Sequence, residues 1–347
     1  MNRLKIIIGT TIVPHIYGGG TQICEWLELK LNEYGHQAEM IGFPFDSHHA
    51  IFMEQMLAMR LYHLEDAAER LICVRMPSYL LRHNQKYLWF IHHYREAYDL
   101  WNTEYSVPHT NEGRAVREFV MRADTVAFAE AKQIYTNSKV ISKRLLDFNG
   151  IEAQPVYPPI LKPEQFYCDS YGDYIYYPSR ICGHKRQHLA VEAMKYTKTD
   201  VKLLITGVIE SPLYGDKIAD FITSNSLQGK VTVKNEWISE EQKAEYLAKC
   251  LAVAYIPFDE DSYGYPSLEA HHSAKAVISC TDSGGTDELI VDGENGFLTD
   301  SDPVKLAAVF DRLYEDKKLA EKMGRAGIKR ISDLDITWDN VIRRFTN

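Results

Sequence analysis

The chain has 347 residues, 45% apolar and 25% charged, so it is long enough for two globular domains with separate cores. Its formal charge of −9 excludes general nucleic-acid binding, which needs a basic face to displace counterions. No apolar run reaches the roughly 18–20 residues of a membrane span, and the basic start MNRLK leads into too short an apolar stretch for a signal peptide.

Residues 5–8 read as a strand that runs into the loop HIYGGGTQ, which contains Gly19 and Gly20. Glycines at a strand-to-helix turn let a ligand approach the main chain closely. The loop is not GxGxxG, and no GK[ST] follows, so it is neither a dinucleotide fingerprint nor a P-loop. Residues 21–34 carry Ile23, Trp26, Leu27 and Leu31 near helical spacing, and Gly35 stops that helix before a strand at 37–41. Strands at 71–74 and 87–91 follow. His92 ends the second of these, where an imidazole can donate to a hydroxyl or a developing negative charge near pH 7. His93 competes for that role, because a shift of one residue exchanges the face. The continuing YREAYDLW offers Arg95, Tyr98 and Trp101, either as an acceptor surface or as an ordinary amphipathic helix.

Next come a helix at 114–130, a strand at 133–136 and a helix at 138–148. Basic residues gather between Arg114 and Arg144, but Glu118, Asp124 and Glu130 intervene, which reads as a solvated face rather than an anionic-membrane patch. The stretch QPVYPPILKP then places Pro155, Pro158, Pro159 and Pro163 close together, a linker that belongs in neither helix nor sheet. It divides the chain into a first domain at 1–162 and a second at 163–334. Alternation restarts with strands at 173–178, 202–206, 231–233 and 251–256 and helices at 188–194, 216–225 and 240–248. A last helix at 338–345, within a segment of about 335–347, is expected to pack back on the first domain. Strand–helix alternation predicts an α/β fold with two parallel, doubly wound sheets and ligands beyond the carboxyl ends of the strands, in a central cleft.

Arg180 and Lys185 lie in the loop SRICGHK after the 173–178 strand, where two fixed cations can neutralise a diphosphate. Some eighty residues on, Asp261 and Glu269 are separated by seven residues that include Gly264, Tyr265, Ser267 and Leu268. Glu269 is expected to open an amphipathic helix. A strand at 276–280, the pair Gly284–Gly285 and Glu288 follow. A helix N-terminus favours phosphate, and ionised carboxylates accept hydrogen bonds from sugar or ribose hydroxyls, so the combination points to a nucleotide sugar. The six cysteines form no CxxC pair and are expected to be reduced, buried thiols. The thirteen histidines show no metal-binding spacing, so no metal site and no cofactor are expected.

Taken together these residues resemble the retaining glycosyltransferases of sequence family four, which have the GT-B fold. The likeness rests on the glycine loop followed by GHQAEM, on NSKVISKRL with VYPPI, on SRICGHK, and most specifically on SGGTDELIVDGENGFL; FIHHYREAYDLW resembles a subset of these enzymes. The resemblance implies two Rossmann-like domains, with the first on the acceptor side and the second binding the donor. Arg180 and Lys185 would hold the diphosphate, Gly19 and Gly20 would approach the phosphates or sugar, Glu269 would take the ribose hydroxyls, Asp261 the transferred sugar, and His92 would stand near the site of transfer. The family usually has Glu where Asp261 stands, one methylene longer.

The expected activity is metal-independent transfer of a hexose from a nucleotide sugar, first UDP-glucose, to an acceptor hydroxyl in polysaccharide or glycoconjugate synthesis, with retention of configuration. The acceptor partner is a carbohydrate or lipid-linked sugar, and the expected location is cytoplasmic, with peripheral contact at the inner face of the membrane as an option. The alternatives are a sugar-nucleotide epimerase of the same fold and a non-catalytic sugar-nucleotide-binding subunit.

Overall fold

The computed structural model describes residues 3–14 and 18–347, so residues 15–17 of the glycine loop lie outside the described residues. The chain forms two compact units, Met1–Pro159 with Ile336–Asn347, and Ile160–Asp335.

In the first unit, β1 (Lys5–Ile12), α1 (Gly19–Glu33), β2 (Gln37–Pro44), α2 (His49–Arg60), β3 (Arg70–Cys73), β4 (Lys86–Phe90), α3 (Asn111–Ala129), β5 (Gln133–Thr136), α4 (Lys139–Asn149) and β6 (Gln154–Pro155) follow one another. The strands form one parallel sheet in the order β2-β1-β3-β4-β5-β6. Its strands are short apolar runs because both faces are covered. Alternation sends Ile7, Leu71, Leu88 and Phe90 into one core cluster and Ile6, Ile8, Ile72, Trp89 and Tyr135 into another. The proline-rich linker is partly in the sheet after all. Pro155 ends the two-residue edge strand β6, a margin where a missing N–H costs no interior ladder bond.

In the second unit, β7 (Tyr174–Pro178), α5 (Gln187–Ala193), β8 (Lys202–Thr206), α6 (Pro212–Ser224), β9 (Val231–Lys234), α7 (Glu240–Lys249), β10 (Ala252–Ala254), α8 (Tyr265–His272), β11 (Ala276–Cys280), β12 (Gly296–Thr299), α9 (Pro303–Glu315) and α10 (Lys317–Asp333) follow. The sheet is again parallel, in the order β12-β11-β10-β7-β8-β9. From β7 the chain winds outward through β8 and β9, then returns to lay β10, β11 and β12 on the other side. The crevice at such a reversal, outside the carboxyl ends of β7 and β10, is where open parallel sheets bind ligands. In the first unit the same reversal falls between β1 and β3.

Glu269 does not open its helix. α8 begins four residues earlier at Tyr265, with Pro266 in its first turn, and Ser267, Leu268, Glu269, Ala270 and His271 are all buried, so the helix is a core helix rather than an amphipathic one. The YREAYDLW segment is likewise a single 3-10 turn, Arg95–Ala97, rather than a helix.

The last helix, α11 (Trp338–Thr346), belongs to the first unit. Trp338, Val341, Ile342 and Phe345, at i, i+3, i+4 and i+7, fill the second cluster, with Phe345 5.3 Å from Trp89 and 5.2 Å from Tyr135 between ring centres. Arg70 donates to the Phe345 carbonyl at the end of this helix. No described helix is long and apolar enough to cross a membrane. All six cysteines are free; four are buried, but Cys182 is half-buried and Cys168 is exposed, so the thiols are not uniformly interior.

Candidate functional site: the carboxyl ends of β7 and β10

The loop after β7 is held by its own side chains. Gln187 Nε2 donates to Ser179 Oγ (2.7 Å) and to the Arg180 carbonyl (2.8 Å), while Tyr177 donates from its hydroxyl to the Lys185 carbonyl. The Ile256 amide donates back to Tyr177 Oη at 3.0 Å, which ties this loop to the end of β10. Lys185 is thereby presented, nearly buried, to a polar cluster. Its Nζ donates to Tyr255 Oη at 2.9 Å and is ion-paired with Glu260, which also accepts from Tyr255 Oη at 3.1 Å. His184 Nε2 lies 3.4 Å from the same carboxylate. Burial alone would raise the Glu260 carboxyl, but the His184 hydrogen bond and the Lys185 charge outweigh it and hold it at about 2.

Glu260 is a residue that the sequence reading passed over in favour of Asp261. The acidic run Asp259–Glu260–Asp261 crosses Ser283–Gly285 through a single bridge between Glu260 and Gly284, and Glu260 is the acid that meets Lys185. Asp261 is half-buried beside it. The crossing explains the double glycine. The Gly285 amide donates to the Glu260 carbonyl at 2.8 Å, and a Cβ on Gly284, whose φ is +65°, would lie 2.2 Å from that same oxygen. Gly264 has φ +72°, and a Cβ there would strike the Tyr255 ring at 2.2 Å, so the N-terminus of α8 rests directly on the cluster.

The remaining candidates of this unit divide. Arg180 is exposed and ion-paired with Glu210. Ser267 and Leu268 are fully buried and their amides turn back to the Gly264 carbonyl, so their side chains lie in the core. Tyr265 is half-buried. Glu269 is 5% exposed, and its Oε1 accepts from Lys243 Nζ of α7 at 2.7 Å; burial raises its carboxyl and the Lys243 charge opposes that. Arg186, next to Lys185, is structural. From a left-handed backbone (φ +53°) it grips Asp282 with two bonds of 2.8 and 2.7 Å and donates to the carbonyls of Ile256 (2.9 Å) and Pro257 (2.7 Å).

In the first unit, Gly19 and Gly20 open α1 at the reversal between β1 and β3. Arg75, which follows β3, lies across them. Its Nη1 donates to the Thr11 carbonyl (2.8 Å) and Thr21 Oγ1 (3.2 Å), and its Nε would be 3.3 Å from a Cβ on Gly20. The histidine pair after β4 separates cleanly. His93 is 1% exposed, with its ring tilted against Tyr98 at 4.3 Å between centres and bonded through Nε2 to Asn149 Oδ1 at 2.8 Å; desolvation pushes it down to about 4. His92 is half-buried, and its Nδ1 donates to the His93 carbonyl at 2.7 Å. That bond fixes the tautomer, so the neutral ring offers Nε2 as an acceptor and donates there only when protonated. Tyr98 is not an acceptor surface residue: its hydroxyl donates to the buried Asp124 carboxylate at 2.8 Å, alongside Tyr79 at 2.9 Å.

Residues 168–330 match the glycosyl transferases group 1 family. The alpha-1,3/1,6-mannosyltransferase ALG2 of Dictyostelium discoideum is 30% identical over 128 residues, which cover 37% of this chain and 30% of that protein. The capsular polysaccharide biosynthesis glycosyltransferase CapM of Staphylococcus aureus is 26% identical over 202 residues, 56% of this chain and 51% of CapM. The matched stretches thus span less than a third of the mannosyltransferase and about half of CapM. Among solved structures, sucrose-phosphate synthase from Thermosynechococcus elongatus superposes with a TM-score of 0.74 at 16% identity, covering 97% of this chain and 96% of that one. HepE of Anabaena, solved with UDP and glucose, gives 0.69 at 16% identity with 99% of each chain covered. The fold is therefore GT-B, and the second unit, which holds the Lys185–Glu260 cluster, is the part of the chain that matches the glycosyl transferases group 1 family.

Proposed function

We propose that the protein is a retaining glycosyltransferase that moves a hexose from a UDP-sugar to a hydroxyl of a carbohydrate or lipid-linked acceptor in polysaccharide or glycoconjugate synthesis, without a metal. The observation that carries this reading is the polar cluster at the strand reversal of the second unit, inside the segment that matches the family. Arg180 and Lys185 are the cations for the diphosphate, the role magnesium plays elsewhere, and both already stand against carboxylates, Glu210 and Glu260. A donor pyrophosphate takes the place of those carboxylates as their counter-charge. Glu269 accepts from the ribose, Asp261 from the transferred sugar, and Gly264 with the first turn of α8 directs main-chain dipoles to phosphate. Gly19, Gly20 and His92 are the candidate residues of the first unit. The leaving diphosphate takes the acceptor proton, so the protein supplies position and charge stabilisation.

Calorimetric titration with UDP-, GDP- and ADP-sugars identifies the donor. Titration bears on glucose against mannose as well, since HepE was solved with UDP and glucose whereas ALG2 is named a mannosyltransferase. Incubation of the purified protein with labelled UDP-glucose is expected to release UDP in the presence of EDTA. A strict requirement for added Mn²⁺ would overturn the metal-free mechanism, and epimerised donor without transfer would favour an epimerase.

A further inference from the structure

We propose that Lys243 is a positioning residue that sets the recognition of ribose by Glu269; this rests on the nucleotide-sugar reading above. Glu269 sits on the second turn of α8 with 5% of its surface exposed, an expensive place for a lone carboxylate. Lys243 approaches it from α7, 26 residues earlier, and donates to Oε1 at 2.7 Å. Among the described residues no hydrogen bond reaches Oε2. One oxygen is anchored and the other is left to a ligand.

Lys243 is itself fixed. The capping box of α7, Ser239 with Gln242 (3.2 and 3.3 Å), pins the turn that carries it, and Ala244, Leu247 and Ala248 bury the adjoining face. Its second partner is Glu240, at 2.9 Å and half exposed. The trio carries one net negative charge, centred on Glu269. Ribose hydroxyls donate to a carboxylate only when it is ionised and correctly turned. Without the ammonium, Glu269 would face Glu240 in a buried setting and take up a proton, turning an acceptor oxygen into a hydroxyl. Lys243 therefore acts on nucleotide choice through Glu269, without contacting the nucleotide.

The test is calorimetric titration of the whole chain with UDP and with 2′,3′-dideoxy-UDP. The wild type should prefer UDP by roughly ten- to hundredfold, the worth of hydrogen bonds to a charged acceptor. Lys243→Met should bind both nucleotides alike, at the wild-type affinity for the dideoxy compound, and Lys243→Arg should restore most of the preference. Lys243→Gln keeps a donor to Oε1 but no charge; should the Met variant fail to fold, the Gln variant is expected to lose at least threefold of the preference. An equal loss for both nucleotides, with the ratio kept, would mark Lys243 as merely structural and overturn the proposal. A wild type that binds UDP and dideoxy-UDP equally would overturn it through Glu269, whereas a wild type that binds no nucleotide would overturn the functional reading itself.

Discussion

Each unit places two like residues side by side after a strand and separates their duties. In the second unit Lys185 faces the polar cluster of Tyr255 and Glu260, while Arg186 is locked on Asp282 and two carbonyls. In the first, His92 stays half-buried while His93 is walled in by Phe90, Tyr98, Phe128 and Phe148. The means differ. Arg186 anchors through charge and six main-chain and side-chain acceptor atoms, whereas His93 anchors as a neutral aromatic ring with one amide partner. A guanidinium keeps its charge when buried if carboxylate and carbonyls surround it; an imidazole in an aromatic cage gives its proton up.

This contrast can be broken at each pair. The largest effect is expected from Lys185→Ala, a fall in transfer rate on the order of 10²–10³. Normal turnover in that variant would remove Lys185 from the phosphate. Arg186→Met should instead cost about 2–4 kcal/mol of stability, because Asp282 and the two carbonyls lose their donor, and denaturant unfolding reads it directly. His93→Ala should cost about 3 kcal/mol, whereas His92→Ala should stay within about 0.5 kcal/mol in stability and lose activity; equal stability losses would abolish the distinction.

Acid sharpens the comparison between units. His188, His271 and His272 in the second unit and His93 in the first are each held near 4, chiefly by desolvation. A folded value below the unfolded 6.5 means that the stability these neutral rings contribute is complete above pH 6.5 and is lost as pH falls towards 4. Burial pushes Asp124 of the first unit up to about 7 against the opposing bonds from Tyr98 and Tyr79, so its protonation favours the folded state as pH falls below 7 and offsets His93. The second unit is therefore expected to lose amide-exchange protection first between pH 6.5 and 4. Asp124→Asn should leave the first unit's net acid sensitivity greater than in the wild type.

The strands at 133–136, 202–206 and 276–280 were legible residue for residue, because runs of four or five residues bounded by turn signals are too short for a helix. What local pattern could not supply was pairing at a distance. Glu260 meets Lys185 across 75 positions, Lys243 meets Glu269 across 26, and Arg75 meets Thr21 across 54. The spacing of Asp261 and Glu269 drew attention to this loop, but only the structure shows that the neighbouring Glu260 is ion-paired with Lys185, beside the crossing with Ser283–Gly285. The acidic triplet 259–261 was the available signal. For YREAYDLW, helical periodicity was present, but Tyr98 and Tyr94 are claimed by Asp124 and Glu96, and tertiary bonds prevail over a marginal helix.

The packing of α11 in the first unit has a consequence for biosynthesis. Trp89 and Tyr135 stay without their cover until Phe345 has been translated, by which time every residue of the second unit has already been made. The second unit is contiguous in the chain, whereas the first can close its aromatic core only after the second has been made.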